Sequence, residues 1–400
     1  MLSVEQGLRT RPHAAAKTGV HPSDAHLLGC LSLLKVTAST LAHGKGNSPV
    51  PGSGVPAPVN GLPVGELNFL VLGDYGRQGN FNQSEVAASM GVTAGQVGTS
   101  FVIAVGDNVY NNGIANVSDP IWAATMNNVY THPALTSVPW YAVTGNHDWH
   151  GNISAQFDGA ALGFPTWRCD MSYDIKGPNS GVTHHGNGLL DVFYIDTDVL
   201  SSRRTNQLVA NGFVSANIAA NLTAMNAWYA GWEDRQVARL TRLMAASSAR
   251  WKMVVGHHGI YSYGCDHGPY PQLARLNGVL RAQGGHAYFC GHDHDLIAMR
   301  LPAGDPVSPL YILSGAGSQC RNDVADPGDG SLLFGYGWAG YTHVALTHDA
   351  MTTAFLDRDG QILYTTETAW VPPPNCGDPV SAASDSRCSV PVPPNPCSKR

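Results

Sequence analysis

Charge is scarce in this chain: Asp, Glu, Lys and Arg together make up 13% of its 400 residues. Sparse charge beside ample apolar content excludes disorder driven by self-repulsion. Basic runs are missing too, and the formal net charge is −6 at pH 7. The electrostatic footprint of a duplex-binding protein is therefore absent, and no nucleic-acid partner is expected. No stretch of about 18 uncharged apolar residues occurs, so no membrane span is predicted.

What the chain has instead is apolar mass, glycine and histidine. A hydrophobic share of 43% is that of a globular protein, 45 glycines suit a loop-rich enzyme around a large buried sheet, and 17 histidines are many. Cys30 falls in the expected leader and Cys290 at the end of an apolar strand, where a buried free thiol is expected. Cys169, Cys265, Cys320, Cys376, Cys388 and Cys397 lie in loops and in the tail, which favours an oxidising compartment and leaves their pairing open.

Taken in order, residues 1–64 read as an unfolded leader and Pro/Gly linker. Arg9, Arg11 and Lys17 precede the apolar patch 27–34, in the manner of a secretory signal. A transit peptide is the alternative, because Glu5 and Asp24 are the only acids before Glu66. Apolar strands are predicted at 67–72, 101–105, 140–143, 251–255, 287–290 and 310–313, with another closed by Tyr194-Ile195-Asp196-Thr197. Helical stretches are predicted near 84–90, after Pro120, at 225–246 and at 272–281, while 201–222 reads as loop. The alternation makes βαβ units and an α/β fold. Asp359-Gly360 marks a hairpin turn, and 371–400 is a Pro/Cys-rich tail.

Nearly every predicted strand ends in glycine followed by a side chain able to bind metal. The tips read Gly73-Asp74-Tyr75-Gly76, Gly106-Asp107-Asn108-Val109-Tyr110, Gly145-Asn146-His147-Asp148, Gly256-His257 and Gly291-His292-Asp293-His294. Carboxyl ends of parallel strands converge on one crevice, so Asp74, Asp107, Tyr110, Asn146, His257, His292 and His294 are candidates for one site. An isolated Asp-x-x-Tyr caps a turn more often than it binds an ion. Five such tips in one chain point instead to two adjacent cations, with a carboxylate, Asp107, between them.

In this order the five blocks resemble those of the purple acid phosphatases, members of the calcineurin-like metallophosphoesterase superfamily, and within them the small single-domain tartrate-resistant type. The resemblance covers about residues 66–368 and implies a four-layer αββα sandwich of two mixed β-sheets flanked by helices, with 65–370 as the catalytic domain. It implies Fe(III) at Asp74, Tyr110 and His294, bridged through Asp107 to a second ion, Fe(II), Zn(II) or Mn(II), at Asn146, His257 and His292. It further implies acid hydrolysis of phosphate monoesters on small substrates or phosphoproteins, with His147 and His267 meeting the substrate. A secreted or endomembrane-routed monomer is expected. The chain departs from the pattern at Gly256-His257-His258-Gly259, where a proline is usual two residues after the ligand; His258 is left open between substrate contact and a structural role. Rival readings are a phosphodiesterase or protein phosphatase of the same superfamily, against which Tyr110 argues, and a non-catalytic or redox-active iron-binding relative. Sequons stand at Asn82, Asn116, Asn152 and Asn221.

Overall fold

The structure, a computed structural model, describes residues 59–169, 181–201, 205–305 and 307–372. The expected leader, most of the linker and the tail from 373 lie outside these residues. Within the expected linker, Val59 is buried, and its backbone N–H donates to Gln96 Oε1 at 2.8 Å.

The first four strands are β1 (Leu67–Leu72), β2 (Phe101–Ala104), β3 (Trp140–Ala142) and β4 (Trp167–Arg168). Next come β5 (Val182–His185), β6 (Leu190–Tyr194), β7 (Trp251–Val255), β8 (Ala287–Cys290), β9 (Leu296–Arg300), β10 (Leu310–Ser314) and β11 (Leu332–Tyr336). The last are β12 (Gly340–Leu346), β13 (Ala350–Asp357) and β14 (Ile362–Ala369). One sheet runs β14-β13-β12-β1-β2-β3-β4, the other β11-β9-β10-β8-β7-β6-β5. β1 to β4 are parallel, as are β6, β7, β8 and β10, so their carboxyl ends face the same way within each sheet. The outer strands join antiparallel, which makes both sheets mixed.

The inner strands are apolar on both faces because both faces are covered. From β1, Phe69 and Val71 point between the sheets, where they meet residues such as Val255, Phe289 and Ile312. Leu70 and Leu72 point outward with Val86 and Met90 of helix α1 (Gln83–Val97). On the far side the helices Leu222–Ala246 and Ala274–Ala282 lay Leu240, Met244, Leu276 and Leu280 over Val254 and Tyr288. These are the four layers that the motif resemblance implies.

The structure revises several local expectations. Helix α1 runs on to Val97, through Gly91 and Gly95, and ends where Gly98 adopts a left-handed φ of 64°. The predicted loop 201–222 contains helices at Thr205–Ala210 and Ala216–Ala219, and Asn221 caps the next helix by accepting from Ala224 N at 3.0 Å. β6 stops at Tyr194, so Asp196 and Thr197 lie past its end.

Candidate metal centre

The seven candidate side chains, drawn from distant segments, meet at the carboxyl ends of the parallel strands. Two subsets are visible. In the first, the Tyr110 hydroxyl stands 3.1 Å from Asp74 Oδ1 and 3.1 Å from His294 Nε2, and His294 Nε2 is 3.7 Å from Asp74 Oδ1. In the second, His257 Nε2 lies 3.2 Å from Asn146 Oδ1 and 3.5 Å from Asp107 Oδ1. Donor atoms of Asp107, His257 and His292 all fall within 4.8 Å of one another.

Close approach is written into the backbone. Asp74, Asp107 and His292 have φ of 58°, 51° and 75°, a left-handed conformation that side chains other than glycine rarely adopt and that costs on the order of 1–3 kcal/mol each. Two glycines leave the room. A Cβ on Gly145 would sit 2.2 Å from Asp107 Oδ1, and one on Gly291 would sit 2.2 Å from Asp74 Oδ2.

The electrostatics are those of a cation site. Burial, and then the neighbouring Asp107 charge, push the Asp74 carboxyl well above its usual range. Burial pushes Asp107 up as well, but the imidazoles of His257 and His147 outweigh it and hold this carboxyl low. Burial, followed by the two carboxylates, keeps the Tyr110 phenol protonated far above its ordinary range. Burial also lowers His257, His292 and His294, so these imidazoles are neutral and keep a lone pair to offer. Two buried carboxylates side by side are costly unless a cation lies between them. The donor set of carboxylates, phenol, amide and neutral imidazoles therefore fits a pair of metal ions.

His147 and His267 border this cluster. His147 Nδ1 is 2.6 Å from the Asn111 carbonyl, and Nε2 lies 4.0 Å from Asp107 Oδ2. His267 stacks on His292, with ring centroids 4.1 Å apart, and its backbone N–H donates to Asp293 Oδ1. His258 is buried: Nδ1 and Nε2 meet the hydroxyls of Thr197 and Ser201 at 3.0 and 2.9 Å.

Other residues at the site escaped the sequence reading. Asp148 closes the Gly145-Asn146-His147-Asp148 tip. Its Oδ2 accepts from Asn108 N and Gly145 N, and its Oδ1 from Val109 N and Gln156 Nε2, all between 2.8 and 3.1 Å. It thereby fastens the Asp107–Tyr110 loop to the Asn146–His147 loop. Asp293, placed between two histidines of its motif, accepts from the Ser262 hydroxyl and from His267 N. Thr197 accepts from the backbone N–H groups of both His257 and His258. The Arg77 guanidinium lies 3.8 Å over the Tyr110 ring.

Known proteins resemble this chain in sequence and fold. Residues 67–296 match the family model described as calcineurin-like phosphoesterase. Purple acid phosphatase 7 of Arabidopsis thaliana is 33% identical over 322 residues, 77% of this chain and 87% of that protein. Tartrate-resistant acid phosphatase type 5 of Mus musculus is 29% identical, over 78% of this chain and 93% of its own. Among solved structures, GAP50, the anchor in the inner membrane complex of Plasmodium, superposes with a TM-score of 0.60 at 23% identity, covering 82% of this chain and 95% of that one; this likeness is one of fold.

Proposed function

Because the chain belongs to the calcineurin-like phosphoesterases, and its relatives there are purple acid phosphatases, we propose that its seven-residue cluster holds an Fe(III) and a divalent ion. The enzyme is an acid phosphatase of the metallophosphoesterase type, and its centre is dinuclear. Asp74, Tyr110 and His294 hold the Fe(III). Asn146, His257 and His292 would hold Fe(II), Zn(II) or Mn(II), and Asp107 would serve both ions. The observation that carries this assignment is the position of the Tyr110 hydroxyl, 3.1 Å from both Asp74 and His294.

When bound, the ions supply Lewis acidity, polarising phosphate oxygens and acidifying water. The chain supplies the rest. His147, with Nδ1 tied to the Asn111 carbonyl, turns Nε2 toward the cluster and gives a proton to the leaving oxygen as its P–O bond breaks and the oxygen of water bonds to phosphorus, leaving an alcohol and inorganic phosphate. An imidazole with one nitrogen hydrogen-bonded can carry a transferable proton on the other. His267, exposed above His292, orients the phosphate and shares the acid role.

The purified protein is expected to be coloured by phenolate-to-iron charge transfer and to hydrolyse an aryl phosphate best in acid. Tyr110→Phe should lose the colour. Iron-free, colourless protein with full turnover would overturn the assignment.

The route we assign is secretory or lysosomal–vacuolar. Cys265 is disulfide-bonded, which belongs to an oxidising compartment. Asn116, Asn152 and Asn221 are exposed, whereas the Asn82 amide bonds Ser318 O and Arg358. Among the described residues no helix is long and apolar enough to cross a membrane. A drop in apparent mass on deglycosylation of protein from its native source checks this route.

A further inference from the structure

The three imidazoles of the cluster do not lean on the same kind of partner. His257 Nδ1 is 2.8 Å from the Val105 carbonyl, and His294 Nδ1 is 3.0 Å from the Gln319 carbonyl. Both partners are backbone, fixed by the fold. His292 differs twice over: the nitrogen engaged is Nε2, and its partner is a side chain, the Tyr270 hydroxyl at 2.6 Å.

Tyr270 arrives from the segment that carries His267. Its backbone N–H donates to Gly259 O at 3.0 Å, which sets the phenol beside the site. Its ring meets His258 edge-on, with centroids 4.6 Å apart, and His258 in turn lies 4.3 Å from His292. His258 cannot rotate freely, because Thr197 and Ser201 hold both of its nitrogens. It acts as a fixed wedge that keeps the Tyr270 phenol against His292.

An imidazole that binds a cation through one nitrogen keeps its proton on the other, and the acceptor of that N–H sets tautomer and ring angle. We propose that Tyr270 is a positioning residue for the second ion: its oxygen accepts the Nε2–H of His292 and leaves Nδ1 facing the divalent site. The proposal rests on the two-ion reading and adds to it a side chain that acts on one ion and not the other. The Fe(III) side is untouched by this bond, since His294 is held by Gln319.

The test is Tyr270→Phe, which keeps the ring and removes the acceptor. Protein that retains iron but has been stripped of its divalent ion is titrated with Zn(II) or Mn(II), and the visible band is recorded in parallel. The expected result is a divalent affinity about 10- to 100-fold weaker than wild type with the band unchanged, which also reports an intact fold. Wild-type divalent affinity in the variant would overturn the proposal, and so would equal loss of iron and divalent ion. Wild-type protein that takes up no second ion would overturn the two-ion reading and this proposal together, and that outcome is seen before any substitution is made.

Discussion

Asp148 shows how much a single side chain contributes from outside the candidate ligand set. Burial, and then the Asp107 charge, raise its carboxyl to about 7, although the N–H groups of Gly145, Gln156 and Asn108 favour the ionised form. Asp148→Ala would leave its four donors without their acceptor, two of them in the loop that carries Asp107 and Tyr110. Unsatisfied buried groups cost about 1–3 kcal/mol each, less where water enters. We expect a loss of roughly 3 kcal/mol or more in denaturant unfolding, together with activity near background. Gly291→Ala makes the complementary test. Its Cβ would press on Asp74 Oδ2, so we expect a well-folded protein with little iron, checked by elemental analysis. A variant that kept full iron would show that the carboxylate can give way.

At the scale of the element, β12 carries an acid sensitivity of its own. His343 is fully buried in that strand, with neither ring nitrogen hydrogen-bonded among the described residues, and burial lowers its imidazole to about 4. The unfolded value is near 6.5. The folded form thus binds the proton less well than the unfolded one. Its stabilising effect is complete above about pH 6.5 and is lost as pH falls toward 4, by up to roughly 3 kcal/mol. His343→Leu should flatten the fall in melting temperature between those pH values, and an unchanged slope would place the acid lability elsewhere. Elements of this kind were only partly legible in the sequence. Strand ends could be read because an apolar run stopping at glycine marks both the end of a ladder and a close approach. The left-handed φ of Asp74, Asp107 and His292 could not be read, since it is imposed by what the strand tips pack against. β9 went unnoticed because it begins only two residues after His294, and the helices at Thr205–Ala210 and Ala216–Ala219 lack an apolar stripe long enough to announce them. The site residues were legible because each tip carries a chemically unusual side chain. Thr197 was not, because its hydroxyl acts on backbone groups of a different strand.

For the molecule as a whole, the family match at 67–296 marks the motifs and not the folding unit. β1 is paired with β2 on one side and β12 on the other, and Val344 and Phe355 close the space between the sheets. A chain ending near residue 330 should therefore fail to give a cooperative thermal transition, even though it contains all seven candidate ligands. A sharp transition with dispersed amide resonances in that fragment would refute this.

The pairing of β1 with β12 also bears on synthesis in the cell. The strand that leads to Asp74 leaves the ribosome long before β12, so one of its two neighbours cannot exist until Leu346 has been added. During that interval one flank of β1 is open, an unpaired row of amides and carbonyls available to any extended segment nearby. Nascent chains of this enzyme should accordingly depend on holding factors until β12 has emerged.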